Sequence, residues 1–200
     1  RRFAAGILGG KADLEEERIA FFLPGSADYV TAMHGVWRAG GIAVPLNTGS
    51  AIPELEHYLS TARVTRLVAR ADDCAKLAEL CAQCGTELLD VAKVGSEEAV
   101  SLPDLPETRR AMILFTSGTT NKPKGVVSTH ANIRAQITAL IEAWEWSEED
   151  AIPLFLPLHH IHGIINVLGC GLWAGAAVHL FGKFDMERIG RGVAAGDYSL

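Results

Sequence analysis

The stretch Ala111-Met-Ile-Leu-Phe115 and the ten residues after it, Thr116-Ser-Gly-Thr-Thr-Asn-Lys-Pro-Lys-Gly125, decide the fold of this chain. An uninterrupted apolar run of this length is typical of a buried strand. The segment that follows carries four hydroxyl side chains, two glycines and two lysines. Glycine lets the backbone approach an anion and turn its N–H groups toward it, while hydroxyls and lysine add donors and positive charge. The segment therefore predicts a loop that binds polyphosphate at the end of a strand.

Two other interpretations of this loop fit the residues less well. A polar surface turn needs only about four residues, and the segment 116–125 is more than twice that length. A Walker-type loop requires the pattern Gly-x-x-x-x-Gly-Lys-Ser/Thr. Here Gly118 and Gly125 are seven positions apart, and Val126 stands where the lysine of that pattern belongs.

Strands and helices alternate along the whole chain. Strands are predicted over residues 18–23, 42–45, 66–69, 87–91, 111–115, 150–156 and 176–181. Helices are predicted from the turn at 24–26 to about residue 38, from near Pro53, from Asp72, over 130–144 and 162–173, and from near Asp185. The alternation indicates an α/β architecture, a mostly parallel sheet flanked by helices. Residues 93–109, polar and proline-bearing, are predicted to link a first α/β portion, 1–92, to a second portion, 110–200.

Composition argues against three classes of protein. Hydrophobic residues make up 48% and charged residues 21%, which argues against disorder. A formal net charge of -6 argues against a nucleic-acid partner, because phosphate backbones are held by clustered Lys and Arg. Glycines and Asn166 interrupt the most apolar stretch, 161–180, so that we expect a buried helix and strand there and no membrane span. No signal peptide is recognisable, and a cytoplasmic location is expected.

The four cysteines are expected to be reduced thiols. The Cys81-Ala-Gln-Cys84 spacing is compatible with a zinc or redox pair. However, no second pair of ligands follows at suitable spacing, and the pair ends a predicted helical stretch instead of starting one.

Three segments carry a family resemblance. The residues Phe115-Thr-Ser-Gly-Thr-Thr-Asn-Lys-Pro-Lys-Gly-Val-Val127 closely resemble the phosphate-loop signature of the AMP-forming synthetases, which include acyl-CoA synthetases, luciferases and nonribosomal adenylation domains. Leu156-Pro-Leu-His-His-Ile-His-Gly163 and Arg38-Ala-Gly-Gly-Ile-Ala-Val-Pro-Leu-Asn47 are also similar to that family. The resemblance implies that residues 1–200 are part of the large N-terminal AMP-binding domain, and the opening on Arg1 without a methionine favours a fragment. Across residues 116–172 the sequence looks closest to the malonyl-CoA synthetase branch of the family.

The resemblance implies a ligase reaction that uses ATP, Mg²⁺ and coenzyme A. A carboxylate attacks the α-phosphorus of ATP and expels pyrophosphate, and the thiolate of coenzyme A then displaces AMP. Lys124 would supply catalytic charge, and Pro123 would stiffen the hairpin. The residues expected to bind the ATP phosphates are Thr116, Ser117, Gly118, Thr119, Thr120, Lys124 and Gly125. One residue departs from the family: Asn121 stands where glycine is usual, and Asn tolerates the left-handed conformation better than most residues.

The histidines of the segment 156–163 allow three interpretations. A metal site is disfavoured, because no acidic residue lies near in sequence and adjacent histidines point in different directions. Packing at a strand-to-helix junction is the second interpretation. By resemblance, His160 is a catalytic and pocket residue that borders the adenylate and the thiol tunnel, and His162 and Gly163 line the acyl pocket. A polar side chain at 162 indicates a small or polar acid.

The expected function is therefore an AMP-forming acyl-CoA synthetase for a small or dicarboxylic acid such as malonate. The family's adenine-binding segment, ribose-binding acid, hinge and C-terminal domain have no candidates in 1–200, so these residues alone are expected to be inactive. The alternatives are a non-catalytic piece or pseudoenzyme, a long- or medium-chain fatty acid–CoA ligase, and an ATPase or phosphotransferase that releases ADP. The identity of the acid and the oligomeric state stay open.

Overall fold

The computed structural model describes residues 1–95, 100–116, 122–182 and 184–199. The chain divides into two compact units. The first contains Arg1–Leu23 and Asp28–His130, and the second contains Pro24–Ala27 and Ala131–Leu200.

The first unit is an α/β layer structure. Its strands are β1 (Arg18–Phe22), β2 (Ile42–Pro45), β3 (Arg66–Ala69), β4 (Glu87–Asp90), β5 (Arg110–Thr116) and β6 (Lys124–Thr129). Its helices are α1 (Arg2–Leu8), α2 (Ala27–Arg38, of which Ala27 belongs to the second unit), α3 (Ile52–Ala62), α4 (Ala71–Cys84) and the short α5 (Val91–Val94).

One sheet holds the first unit together, with strand order β4-β3-β1-β2-β5-β6. The first five strands of the chain pair in parallel, and β6 pairs antiparallel with β5. The central strands are buried almost throughout because they are covered by helices, which is why their sequences are continuous apolar runs. The predicted α/β architecture with a mostly parallel sheet is confirmed.

Helix α3 positions the site described below. Pro53 lies in its first turn, where its missing N–H costs nothing. Its buried residues, Leu55, Tyr58, Leu59 and Ala62, follow the spacing of one helical face and join the core beneath the sheet. The helix ends at Ala62 and is capped by Arg63, which adopts a left-handed conformation with φ of 52°.

The second unit contains α6 (His130–Trp144, of which His130 belongs to the first unit), β7 (Ala151–Leu154), α7 (Cys170–Ala174), β8 (Ala177–Leu180) and α8 (Met186–Ala195). Its β7 and β8 form a two-stranded parallel sheet. A wider, π-helical segment covers His162–Gly169 and continues into α7. Across the described ranges, no helix combines the length and the apolar character that crossing a bilayer requires.

Three features differ from the sequence-based expectation. Strand β6 was not predicted, and α5 occupies residues 91–94, where a strand end and the start of a linker were expected. The compact units divide after His130, whereas the linker was expected at 93–109. The reason is that β5 pairs with β2, so that the first sheet draws strands from both sides of 93–109.

The four cysteines, Cys74, Cys81, Cys84 and Cys170, are free thiols. Burial raises the pKa of Cys81 to about 11, and burial likewise raises the pKa of Cys170 to about 11. Both thiols are therefore protonated at neutral pH and act as small apolar side chains.

Candidate functional site

The expected phosphate loop joins β5 to β6 in an antiparallel hairpin. The two strands pair as far as Thr116 opposite Lys124, one step beyond Phe115 opposite Gly125. Thr116 and Lys124 are both exposed, so a hydroxyl and an ammonium group flank the mouth of the connection. The expected phosphate-binding residues Ser117, Gly118, Thr119 and Thr120, and the family departure Asn121, lie outside the described residues.

The end of β5 is held by an aromatic contact with α3. The rings of Phe115 and Tyr58 lie with centroids 4.3 Å apart at an angle of 33°. The Tyr58 hydroxyl donates a hydrogen bond to the carboxylate of Glu54, one turn earlier in α3. Burial, helped by that carboxylate, raises the pKa of Tyr58 to about 12, so the hydroxyl remains a donor at neutral pH.

The other arm of the loop is held by His57, the neighbour of Tyr58. Its Nε2 lies 2.8 Å from the carbonyl oxygen of Pro123, and its Nδ1 lies 3.3 Å from Oγ1 of Thr61. The His57 ring also meets the Phe115 ring edge-on, with centroids 6.2 Å apart. His57 could not be identified from the sequence, because no motif links it to a carbonyl 66 positions away.

Gly125 lies opposite Phe115 in the paired strands, beside the Ile113 side chain of β5. A Cβ at this position would lie 3.0 Å from Cγ2 of Ile113 and 3.6 Å from the ring of Phe115. The first distance is tighter than nine in ten Cβ contacts, so that the Ile113 side chain would have to shift by a few tenths of an ångström. The expectation that Gly125 shapes the hairpin therefore has a steric basis at the paired strands.

A cleft of about 310 Å³ lies between α3 and the β5–β6 hairpin. Three arginines contribute to its lining, Arg18, Arg63 and Arg110. Arg110 is held by Glu16. The Glu16 carboxylate accepts hydrogen bonds from the guanidinium and from the backbone N–H of Arg110. The rest of the lining is mainly apolar: Ile42, Ala62, Ile113, Phe115 and Val127, with Thr61 and Gly125.

The histidine segment belongs to the second unit. His160 and His162 are exposed, and the rings of His159 and His160 lie with centroids 4.2 Å apart. Nδ2 of Asn166 lies 3.0 Å from Nδ1 of His162. Because the Oδ1 of Asn166 accepts from Gln136 at 2.6 Å, its amide nitrogen faces the imidazole as a donor, and Nδ1 of His162 accepts. The proton of a neutral His162 then resides on Nε2.

Gly163 is buried at the start of the π-helical segment. A Cβ there would lie 2.8 Å from the carbonyl oxygen of Pro157, so that a larger residue would push the segment away from 156–158. Backbone N–H groups of His160 and Ile164 close this turn by donating to Pro157 and His160 respectively. The turn thus fixes how His160 and His162 are presented.

Metal ligation by these histidines finds no further ligands. Within the described ranges, no three His, Cys, Asp or Glu side chains come together in the way a metal ion requires.

Comparison with known proteins gives the following matches. A family model described as "AMP-binding enzyme" matches residues 1–195. The human protein named malonate–CoA ligase ACSF3, mitochondrial, is 38% identical over 192 residues, which cover 92% of this chain and 33% of that protein. The Xenopus laevis protein of the same name is 38% identical over 182 residues, 86% of this chain and 32% of that protein. The chain thus spans about a third of the length of these relatives.

Among solved structures, the crystal structure of ATP-bound MatB from Rhodopseudomonas palustris has a TM-score of 0.87 and 25% sequence identity. The match covers 96% of this chain and 40% of the MatB chain.

Proposed function

Because the chain belongs to the AMP-binding enzyme family, whose model matches residues 1–195, we propose that it is part of an AMP-forming acid–thiol ligase. The protein activates a carboxylic acid with ATP and passes the acyl group to coenzyme A. One observation carries the proposal. The segment that resembles the family's phosphate loop connects the antiparallel strands β5 and β6, and Thr116 lies opposite Lys124 where the pairing of these strands ends. A hydroxyl donor and a cation at this mouth suit a bound polyphosphate.

The residues of the hairpin act on the first half-reaction. Attack of the carboxylate on the α-phosphorus breaks the bond to pyrophosphate and leaves negative charge on the departing group. Thr116 donates to a phosphate oxygen, and Lys124 places its ammonium group near the accumulating charge. Fixed donors of this kind stabilise the transition state because they need no rearrangement when the charge develops.

Mg²⁺ fits this scheme as an ion that arrives with the nucleotide. Mg²⁺ prefers oxygen ligands and keeps several of its waters. Among the described residues at this end of the hairpin, Thr116 offers an exposed hydroxyl oxygen that could be such a ligand. The described residues gather no acidic cluster that would hold the ion without ATP. When bound, Mg²⁺ neutralises phosphate charge.

Malonate, or another small dicarboxylic acid, is the proposed substrate. Two relatives with 38% identity are named malonate–CoA ligases. In this chain the exposed His162 presents a polar imidazole, hydrogen-bonded to Asn166, where the family resemblance puts the acyl pocket. A polar wall favours a second carboxylate over an alkyl chain. His160, also exposed, is proposed to border the adenylate.

ATP–pyrophosphate exchange in the complete protein tests the proposal. With malonate present, we expect ATP–pyrophosphate exchange, and little exchange with octanoate or palmitate. When coenzyme A is added to the reaction with malonate, we expect AMP to be released. Exchange with the long acids alone would make the protein a fatty acid–CoA ligase. Release of ADP would instead identify an ATPase or phosphotransferase. ATP binding without exchange for any acid would favour a pseudoenzyme, which the Asn121 departure keeps as the second candidate.

The activity is proposed for the complete protein, and residues 1–200 alone are expected to form no acyl-CoA. The cytoplasmic location stays a prediction. The human relative is named as mitochondrial, and fractionation of cells that produce the protein would decide between the two compartments.

A further inference from the structure

His57 of α3 makes a hydrogen bond to Pro123, a described residue of the phosphate-loop connection. The carbonyl oxygen of Pro123 can only accept, so the contact of 2.8 Å requires a proton on Nε2 of His57. Thr61 then donates its hydroxyl to Nδ1 in the neutral ring, or accepts from Nδ1 in the charged ring. The bond to Pro123 is present in both protonation states of the imidazole.

Pro123 immediately precedes Lys124, the proposed catalytic lysine and the first residue of β6. The backbone conformation of Pro123 therefore sets the direction in which the chain enters Lys124. The pyrrolidine ring fixes φ of Pro123 near -65°. The remaining backbone freedom is ψ, which sets the direction of the carbonyl group. A hydrogen bond from His57 to that carbonyl restricts ψ as well. Both dihedral angles of this residue are thereby constrained before a nucleotide arrives.

The two arms of the loop are held by consecutive residues of one helix. Tyr58 contacts Phe115 at the end of β5, and His57 contacts Pro123 just before β6. Helix α3 is anchored in the core through its buried residues, so it is a rigid support for both contacts. The two described ends of the connection, Phe115 and Pro123, are thus held by one support.

We propose that His57 is a positioning residue for the phosphate loop. By holding the Pro123 carbonyl, His57 orients Lys124 for the triphosphate. The inference rests on the proposed function for the role of Lys124. Its structural part, restriction of the loop by His57, stands independently of that function. His57 does not contact the reacting atoms in this scheme and acts only through the backbone of 123–124.

Substitutions at His57 separate the donor from the ring. His57→Gln keeps an N–H donor near the position of Nε2, whereas His57→Phe keeps an aromatic ring against Phe115 and loses the donor. Because one hydrogen bond to a neutral acceptor is worth about 1 kcal/mol, we expect His57→Phe to raise KM for ATP about fivefold in ATP–pyrophosphate exchange. KM for the acid should stay constant, and His57→Gln should stay within about twofold of the unchanged protein.

A merely structural role for His57 predicts a different result. Loss of folded protein would lower kcat and the melting temperature in His57→Phe and leave KM for ATP unchanged, and this outcome would overturn the proposal. An equal rise of KM in both variants would also overturn it. Should His57→Phe fail to fold, His57→Asn replaces it, because its shorter side chain keeps polarity but cannot reach the Pro123 carbonyl.

Hydrogen exchange of the backbone separates this proposal from the proposed function. In protein without ATP, the amides of 113–116 and 124–127 should exchange faster in His57→Phe than in His57→Gln. If the unchanged protein shows no ATP–pyrophosphate exchange, the ligase assignment fails, and the amide exchange still decides whether His57 restricts the loop. Equal exchange rates in the two variants would refute the restriction.

Discussion

Lys124 combines a fixed backbone with an exposed side chain, since it pairs opposite Thr116 at the open end of the hairpin. In the proposed reaction, its ammonium group follows charge on the departing pyrophosphate without disturbing the strand. We expect Lys124→Ala in the complete protein to slow adenylation on the order of 100-fold, the scale of losing one preorganised electrostatic group. ATP–pyrophosphate exchange at saturating acid measures the rate. Lys122→Ala is the matched control, since Lys122 is also exposed but lies in the connection between the two paired strands. Equal losses in both variants would indicate a general charge effect.

Single residues of the site differed in how far sequence could predict them. Thr116, Lys124 and Gly125 lie in one short segment that follows a buried run, so they could be proposed together from the sequence. His57 acts on the same loop from another element, through a backbone carbonyl that has no side-chain identity to recognise. Such a contact follows from tertiary packing alone. His160 and His162 were proposed from a family resemblance and stay predictions, and the contact of His162 with the amide of Asn166 became visible only in the folded chain.

Helices α1 and α2 pack through a glycine, which gives a test at the scale of elements. A Cβ at Gly35 of α2 would lie 2.3 Å from Cδ1 of Phe3, a ring of α1 that is 2% exposed. Alanine improves helix propensity by about 1 kcal/mol over glycine, but overpacking a buried ring costs about 1 to 3 kcal/mol. We expect Gly35→Ala to lower the free energy of unfolding by about 1 kcal/mol, as measured by urea denaturation.

The matched control for this substitution is Gly190→Ala in α8. Gly190 is exposed inside its helix, and nothing lies within 4 Å of a Cβ there. With propensity as the main term, this variant should be more stable by about 0.5 to 1 kcal/mol. A Gly35→Ala protein as stable as Gly190→Ala would mean that Phe3 moves aside freely, which contradicts tight packing of α1 on α2.

Elements were predictable where the apolar pattern is local and less so where pairing defines them. The strand at Ile42–Pro45 was predicted with its observed bounds, because it is a continuous buried run. Strand β6 has exposed valines, Val126 and Val127, and owes its existence to pairing with β5. Its β-branched residues are the signal that could have identified it. The start of helix α5 directly after β4 depends on an N-cap. The Asp90 side chain supplies it by accepting a hydrogen bond from the N–H of Ala92.

At the scale of the whole molecule, charge is distributed unevenly. The chain carries a net charge of -6, yet exposed lysines flank the hairpin and three arginines line the cleft beside it. Of the three arginines, Arg110 is paired with Glu16 and lies opposite Thr129, at the far end of β5 from Thr116 and Lys124. The exposed Lys122 and Lys124 therefore supply the positive charge that would attract the proposed nucleotide triphosphate to the hairpin.

The same molecule should lose stability in two steps as the pH falls. Burial lowers the pKa of His34 and of His130 below the ordinary 6.5, with Arg38 and Arg109 respectively adding to the effect. The unfolded chain therefore takes up these protons first, and stability falls once the pH drops below about 6.5. Arg109 and Arg110 hold the pKa values of Asp13 and Glu16 below their ordinary 3.8 and 4.5. Their stabilisation is present above those values and is lost as the pH falls through the lower, folded-state pKa values.

Urea midpoints measured across this pH range test both steps. The first step should disappear in a His34→Gln, His130→Gln double variant, because no imidazole remains there to take up a proton on unfolding. The second step should persist in that variant and weaken in Asp13→Asn, whose amide cannot pair with the Arg109 guanidinium that contacts both carboxylate oxygens. Each titrating group can contribute a slope of at most about 1.4 kcal/mol per pH unit. A constant midpoint between about pH 7 and pH 5 would show that both histidines accept protons without cost, which their burial should prevent.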